Sequence, residues 1–269
     1  MRLHDGEDLS LPRILCLHGA SVNAQVFRIQ CRAIIASLKG NFRFIFADAP
    51  AEAPADKNVV TVFGEYAPFY RWLRWKPEHQ ELDAPTASKD IIKQLKKAMD
   101  EDQGTGEWVG LLSFSQGGVI AASLLWSQEH IEDEAKRPLP GVNFRFAVVI
   151  SSPGPVFFID ESGSLPKPRH LPYANERVDL FEDWPEEGAT DESHLIKTPM
   201  LHVHALQDPD LARHRRLYKY SKKGTAKLME WDGGHRLPLK ADDVERMVSR
   251  IRDLAEQVGL DAYDDDVWC

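Results

Sequence analysis

The chain has 269 residues, 43% hydrophobic and 28% charged, with a formal net charge of −9. That apolar share can fill a sizeable core, which excludes a disordered chain, and the acidic balance argues against general nucleic-acid binding. No uninterrupted apolar run reaches the length of about 18 residues that a membrane-spanning helix needs, so no membrane association is expected.

In chain order, short apolar runs alternate with amphipathic stretches. "RILCLHG" (13–19) reads as a buried strand ending in a glycine turn. Residues 23–40 carry Val26, Ile29, Ile34 and Leu38 near helical spacing, with Gly40 as a stop. "FRFIFADAP" (42–50) is a second strand, ended by Pro50. Residues 88–102 form a predicted helix with Ser88 as its N-cap. Strands follow at 107–114, 144–152, 199–206 and 226–231, and helices at 117–130, 211–223 and 240–258. The tail "DAYDDDVWC" is acidic.

Strands that alternate with helices imply βαβ units, hence a mostly parallel, twisted α/β sheet of about six strands with helices on both faces. The spacing fits one domain over 1–269, interrupted by two long stretches, 51–87 and 153–198. Loops of that length are often lids or binding loops. The first holds a row of aromatics from Phe63 to Trp75, including Phe69, and the second opens on Phe157 and Phe158. These rings could line an apolar acyl pocket or simply be core beneath a loop.

Cys16 and Cys31 fall in apolar or helical patterns, Cys269 ends the chain, and no close spacing suggests a disulfide framework or zinc site. A reducing, cytoplasmic setting fits, and the N-terminal residues show no secretory h-region.

In α/β sheets the chemistry collects at the carboxyl ends of the strands. "SFSQGG" (113–118) joins the third strand to a helix, the context of a nucleophile elbow around Ser115. Gly117 supplies the small neighbour such a turn needs, whereas Ser113 stands where glycine is usual and crowds it. A serine hydroxyl needs a base, and His235 in "WDGGHRLP" follows the sixth strand in a glycine loop. An acid must orient that imidazole. Asp208 follows the fifth strand directly and has Pro209 after it; Asp210 is the runner-up. An oxyanion needs backbone donors. Gln116 N–H is one, and "LHGAS" (17–21) supplies the other from Ala20 or, next, Ser21, which also borders the substrate space. His18 and Asp48 precede the serine and read as structural. His202 and His204 share one face of a strand, but no third ligand of suitable spacing accompanies them, so no metal is expected. His194 and His214 lie in less suggestive settings.

Taken together, "ILCLHGAS", "FADAP", "SFSQGG", "HVHALQDP" and "GGHRLP" resemble the fungal serine hydrolases of the FSH type, a branch of the α/β-hydrolase fold. These motifs run from residue 14 to 238. The resemblance implies a hydrolase whose sheet begins at the "ILCLHG" strand, with Ser115, Asp208 and His235 as its triad and no metal or organic cofactor. Relatives of this type often accompany fungal polyketide synthases, where they free or edit acyl chains on carrier proteins. Ser113 is the departure from the family pattern. The expected substrate is a hydrophobic acyl thioester or ester. A general short-chain esterase or protein deacylase, an acyltransferase and a non-catalytic ligand-binding module are the competing readings. Arg213, Arg215, Arg216, Lys219, Lys222, Lys223 and Lys227 lie in a segment without acids between 211 and 229. The segment could dock an acidic carrier protein, or be a solvated helix face.

Overall fold

The computed structural model describes residues 8–55, 57–186 and 191–260. The acidic tail expected at 261–269 lies outside them.

Six parallel strands form the sheet: β1 (Arg13–Leu17), β2 (Arg43–Ala47), β5 (Trp108–Phe114), β6 (Phe146–Ile150), β7 (Met200–Ala205) and β8 (Ala226–Trp231). Their order is β2-β1-β5-β6-β7-β8. The chain first steps outward from β1 to β2 and then returns to place β5 on the other side of β1. That reversal opens a crevice at the carboxyl ends of β1 and β5, where α/β sheets bind ligands.

Side chains alternate between the two faces with the period of a strand. Leu15, Leu17, Leu111 and Val149 pack against α4 (Ala84–Glu101) and α5 (Gln116–His130). Ile14, Cys16, Leu112 and Val148 face α1 (Ala24–Gln30), α2 (Arg32–Leu38) and α7 (Ala241–Gln257). α6 (Leu211–Tyr218) follows β7 and buries His214 and Leu217. Cys16 and Cys31 are buried free thiols, and burial pushes both well above the usual thiol range.

Two helices differ from expectation. The stretch 23–40 is broken at Cys31, which ends α1 and begins α2. The break lets Phe27 bury alongside Ile34 and Leu38. The helix placed at 88–102 starts earlier, at Ala84. Its N-cap is Asp83, whose carboxylate accepts from Thr86 N–H at 2.9 Å, and not Ser88. Pro85 is tolerated there because a first-turn N–H has no helical partner. Ser88 is buried and accepts from the Asp160 N–H at 3.2 Å.

The first long stretch is built around a small antiparallel pair, β3 (Ala51–Glu52) and β4 (Tyr70–Arg71), with α3 (Lys57–Phe63) between them. The second is mostly irregular, with a single 3₁₀ turn at Val178–Leu180 among its described residues. Among the described residues no helix is long and apolar enough to cross a membrane.

Candidate active site

β5 runs straight into the N-terminus of α5, and Ser115 occupies the turn with φ 52° and ψ −121°. A positive φ is strained for a residue with a Cβ. The strain is held from three sides. Ser115 N–H donates to Ile150 O at 2.9 Å, and its carbonyl accepts from Gly118 N–H at 3.0 Å. At Gly117 a Cβ would collide with the carbonyl oxygen of Leu17, so only glycine lets α5 press against the end of β1. Ser113 lies in β5, two residues before Ser115. Its buried hydroxyl donates to Val148 O on β6 at 2.8 Å.

The structure brings together three of the residues singled out above. His235 Nε2 lies 2.9 Å from Ser115 Oγ, and His235 Nδ1 lies 2.7 Å from Asp208 Oδ2. The Asp208 carboxylate is fully buried, while the imidazole is open to solvent on one side. The loops that carry them are laced together: Gln207 N–H donates to Gly233 O at 2.9 Å and Gln207 Nε2 to Asp232 Oδ1 at 2.5 Å. Asp208 also accepts from the Asp210 N–H at 3.0 Å through Oδ1. Asp210 is thus a support of the Asp208 loop, and the imidazole pairs with Asp208.

The loop after β1 lies alongside the serine. Neither the Ala20 nor the Gln116 N–H has a protein acceptor among the described residues. Ser21 N–H is already engaged by Tyr70 O at 2.8 Å, so it has no proton left for an oxyanion. The Gln116 side chain clamps the first long stretch: its Oε1 accepts from the N–H groups of Trp72 and Leu73, and its Nε2 donates to Leu73 O. His18 is buried. Its Nδ1–H donates to Gly19 O at 2.6 Å and its Nε2 accepts from Ala49 N–H at 3.0 Å, which ties the β1 and β2 loops together. Burial pushes its pKa down to about 4 and keeps it neutral. Asp48 accepts from Ala24 N–H at the start of α1.

The expected acyl wall is packed core. Phe69 is buried with Val22 and Val26, and Phe157 and Phe158 sit in the main cluster beside α5.

His214 is the residue whose setting the sequence did not reveal. It is fully buried, with Nε2 3.7 Å from Asp208 Oδ2 and its ring 6.2 Å from that of His235. Burial lowers its pKa to about 4, against the pull of Asp208. The side chains of Asp208, His214 and His235 offer ligand atoms within 4.8 Å of one another, a spacing that a metal ion could use. Such an ion would have to replace the 2.7 Å bond between His235 and Asp208. His202 and His204 continue the row along β7, both buried, with pKa values lowered by burial to about 3 and about 4.

The serine hydrolase (FSH1) family model matches residues 9–247. The chain belongs to this family. The chain is 40% identical to the esterase claE of Penicillium crustosum, over 96% of this chain and 98% of that protein. It is 39% identical to the esterase citA of Monascus ruber, over 94% and 95%. Among solved structures, it matches a maize acyl-protein thioesterase 2 with a TM-score of 0.51 at 14% identity, over 91% of this chain and 94% of that one. It also matches a Bacillus cereus carboxylesterase with a TM-score of 0.50 at 15% identity, over 93% and 91%. These two show the α/β-hydrolase fold. The family makes the chain a hydrolytic enzyme of the serine type.

Proposed function

We propose that the chain hydrolyses an acyl thioester or carboxylic ester through an acyl-serine intermediate, with Ser115 as nucleophile, His235 as base and Asp208 as its orienting acid. The carrying observation is the continuous hydrogen-bonded row from Ser115 Oγ through His235 to the buried Asp208 carboxylate. Ser115 Oγ attacks the acyl carbon as His235 Nε2 takes its proton. The N–H groups of Ala20 and Gln116 receive the developing oxyanion. Collapse expels the thiol or alcohol, which leaves with the proton from His235. A water, deprotonated by the same imidazole, then attacks the acyl-serine and releases the acid. No step calls for a metal or organic cofactor.

The test is a fluorophosphonate probe. Labelling of the wild-type chain and none of Ser115→Ala is expected. A wild-type chain that takes no label would overturn the reading in favour of a binding module on a hydrolase scaffold.

The finer substrate is an acyl thioester on a carrier protein, as in polyketide assembly. The likeness to fungal esterases and the exposed cations Arg215, Arg216, Lys219, Lys222 and Lys223 support it. Some of this charge has local partners: Arg215 meets Glu230 at 3.1 Å, Lys222 meets Glu192 at 3.9 Å, and Arg216 lies 5.3 Å over the Trp184 ring. Charge reversal at Arg215 and Arg216 is expected to slow hydrolysis of a carrier-bound thioester more than that of a small soluble ester. Equal losses on both, or none, would remove the docking role.

A further inference from the structure

A cavity of about 580 Å³ opens beside the site and not at Ser115 itself. Ligand pockets commonly have this size. The β3–β4 pair, the segment from Trp72 to Leu82, the first turns of α4, and Ala174 with Asn175 enclose it. The two long stretches therefore meet around one space. Its apolar wall includes Pro50, Trp72, Leu82 and Ala87.

Into this wall is set Arg71, only 8% exposed. Its Nε is buried without any hydrogen-bond partner, and no carboxylate or carbonyl among the described residues meets the rest of its guanidinium. The neighbouring cations differ. Arg74 donates to His79 O and pairs with Glu81 at 3.1 Å, and Lys76 reaches over the Trp75 ring. Glu52, Glu78 and Asp90 also line the cavity, yet none forms an ion pair with Arg71. His79 faces the same space, and partial burial and the charge of Arg71 lower its pKa.

A buried guanidinium is costly unless something pairs with it. Arginine is also the side chain best shaped to grip a planar carboxylate or a phosphate. The location ties this group to the chemistry. Arg71 directly precedes Trp72, whose N–H is held at 2.7 Å by Gln116, the residue after Ser115. Trp72 also donates its indole N–H to His18 O at the start of the proposed oxyanion loop.

We propose that this cavity is an anion subsite in which Arg71 receives a carboxylate or phosphate oxygen carried by the (thio)ester substrate. The proposal rests on the hydrolase reading above and names the substrate class: an acyl (thio)ester with an anionic end. The anion is either an acid at the far end of the acyl chain or the phosphate of the leaving arm.

The test is calorimetric binding to the Ser115→Ala chain, with and without Arg71→Met. Three probes share one acyl length: hexanoyl-pantetheine, which is neutral; adipoyl-pantetheine, which carries a carboxylate; and hexanoyl-phosphopantetheine, which carries a phosphate. At least one anionic probe should bind about tenfold or more tighter than the neutral one, the worth of a charged hydrogen bond, and Arg71→Met should erase that gap. A gap for the carboxylate alone places the anion on the acyl end, and for the phosphate alone on the leaving arm. No gap for either, or a gap that survives Arg71→Met, overturns the proposal. The melting temperature of Arg71→Met should equal or exceed that of its parent, because an apolar side chain replaces an unpaired ion; if that variant does not fold, Arg71→Gln takes its place. The two readings fail separately. Absent hydrolysis by the Ser115 chain would sink the hydrolase mechanism, whereas absent selectivity in binding would sink only the subsite.

Discussion

The two ends of the sheet treat buried charge in opposite ways. At the amino ends of β1 and β2, Asp102 binds Arg43 at 2.6 Å and Arg13 at 3.3 Å. Arg13 further donates to Gly106 O and lies 4.2 Å over the Trp108 ring. Each of these charges is close to buried and meets an opposite charge. At the carboxyl ends, by contrast, Arg71 is buried unpaired, the ring nitrogens of His214 have no hydrogen-bond partner, and Ser115 is held in a strained turn. Paired charge at one end ties the starts of β1 and β2 to Asp102. Unsaturated groups at the other end leave interaction capacity for a ligand, and stability is the quantity given up.

Conservative changes of Asp208 and Asp102 provide the sharpest test of this division. Asp208→Asn should lower kcat by about a thousand- to ten-thousandfold, because the imidazole loses its tautomer and its counter-charge. Its melting temperature should move little, since the amide fits the same space. Asp102→Asn should do the reverse. Removing the carboxylate between two buried guanidiniums should cost about 3–5 kcal/mol, with the activity of the folded fraction unchanged. Melting curves and ester turnover on both variants check this. If Asp102→Asn costs activity as heavily as stability, the two ends are not separable.

Acid should attack the two ends in separate windows. His18, His202, His204 and His214 are all buried with pKa values lowered to about 4, 4, 3 and 4 in the order His18, His204, His202, His214. The unfolded chain binds these protons from about pH 6.5 downward, and the folded chain does not. Stability is therefore full above pH 6.5 and drains as the pH falls toward 4. Below that the folded histidines also protonate, and this loss levels off. Burial alone would raise the Asp102 carboxyl, but its bonds to Arg43 and Arg13 hold it below the usual aspartate range. Its contribution persists above the ordinary aspartate value and is lost only as the pH falls further. Melting temperatures from pH 7.5 to 3 should show the first drop reduced in His202→Gln and retained in Asp102→Asn. A wild-type melting temperature that stays flat between pH 6.5 and 4.5 would contradict the assignment of neutral buried histidines.

What the sequence made legible follows the same division. Ser115, Asp208 and His235 each follow an apolar run within a few residues and have glycine or proline within two positions, so local signals mark them. The parallel sheet was readable from the alternation of apolar runs with helical stretches. His214 and Arg71 carried no such mark. Their interest lies in being buried with unmet hydrogen-bonding groups, and that state arises only when α6 closes on β7 or when β4 folds beside α5. The aromatics erred in the other direction. Phe69, Phe157 and Phe158 suggested an acyl pocket by composition, yet their backbones turn them into the core. The break at Cys31 was hidden because residues on both sides of it have helical spacing.

Ser113 gives the smallest expected effect. Glycine is usual at this position of an elbow, which suggested that the serine adds strain. The structure shows the hydroxyl donating to Val148 O between β5 and β6. Ser113→Gly removes that bond and loosens the strand backbone, and each change costs about 0.5–1.5 kcal/mol. A chain of this size should lose a few degrees of melting temperature, at roughly 2–4 °C per kcal/mol. Activity should be retained, because the Ser113 hydroxyl bonds Val148 O and makes none of the contacts that fix Ser115, which run through Ile150, Gly117 and Gly118. A fall in kcat of tenfold or more with an unchanged melting temperature would mean that the hydroxyl acts on the elbow itself. The expected pattern, stability down and turnover kept, would place Ser113 with Asp102 among the groups that hold the sheet together, though it stands two residues from the proposed nucleophile.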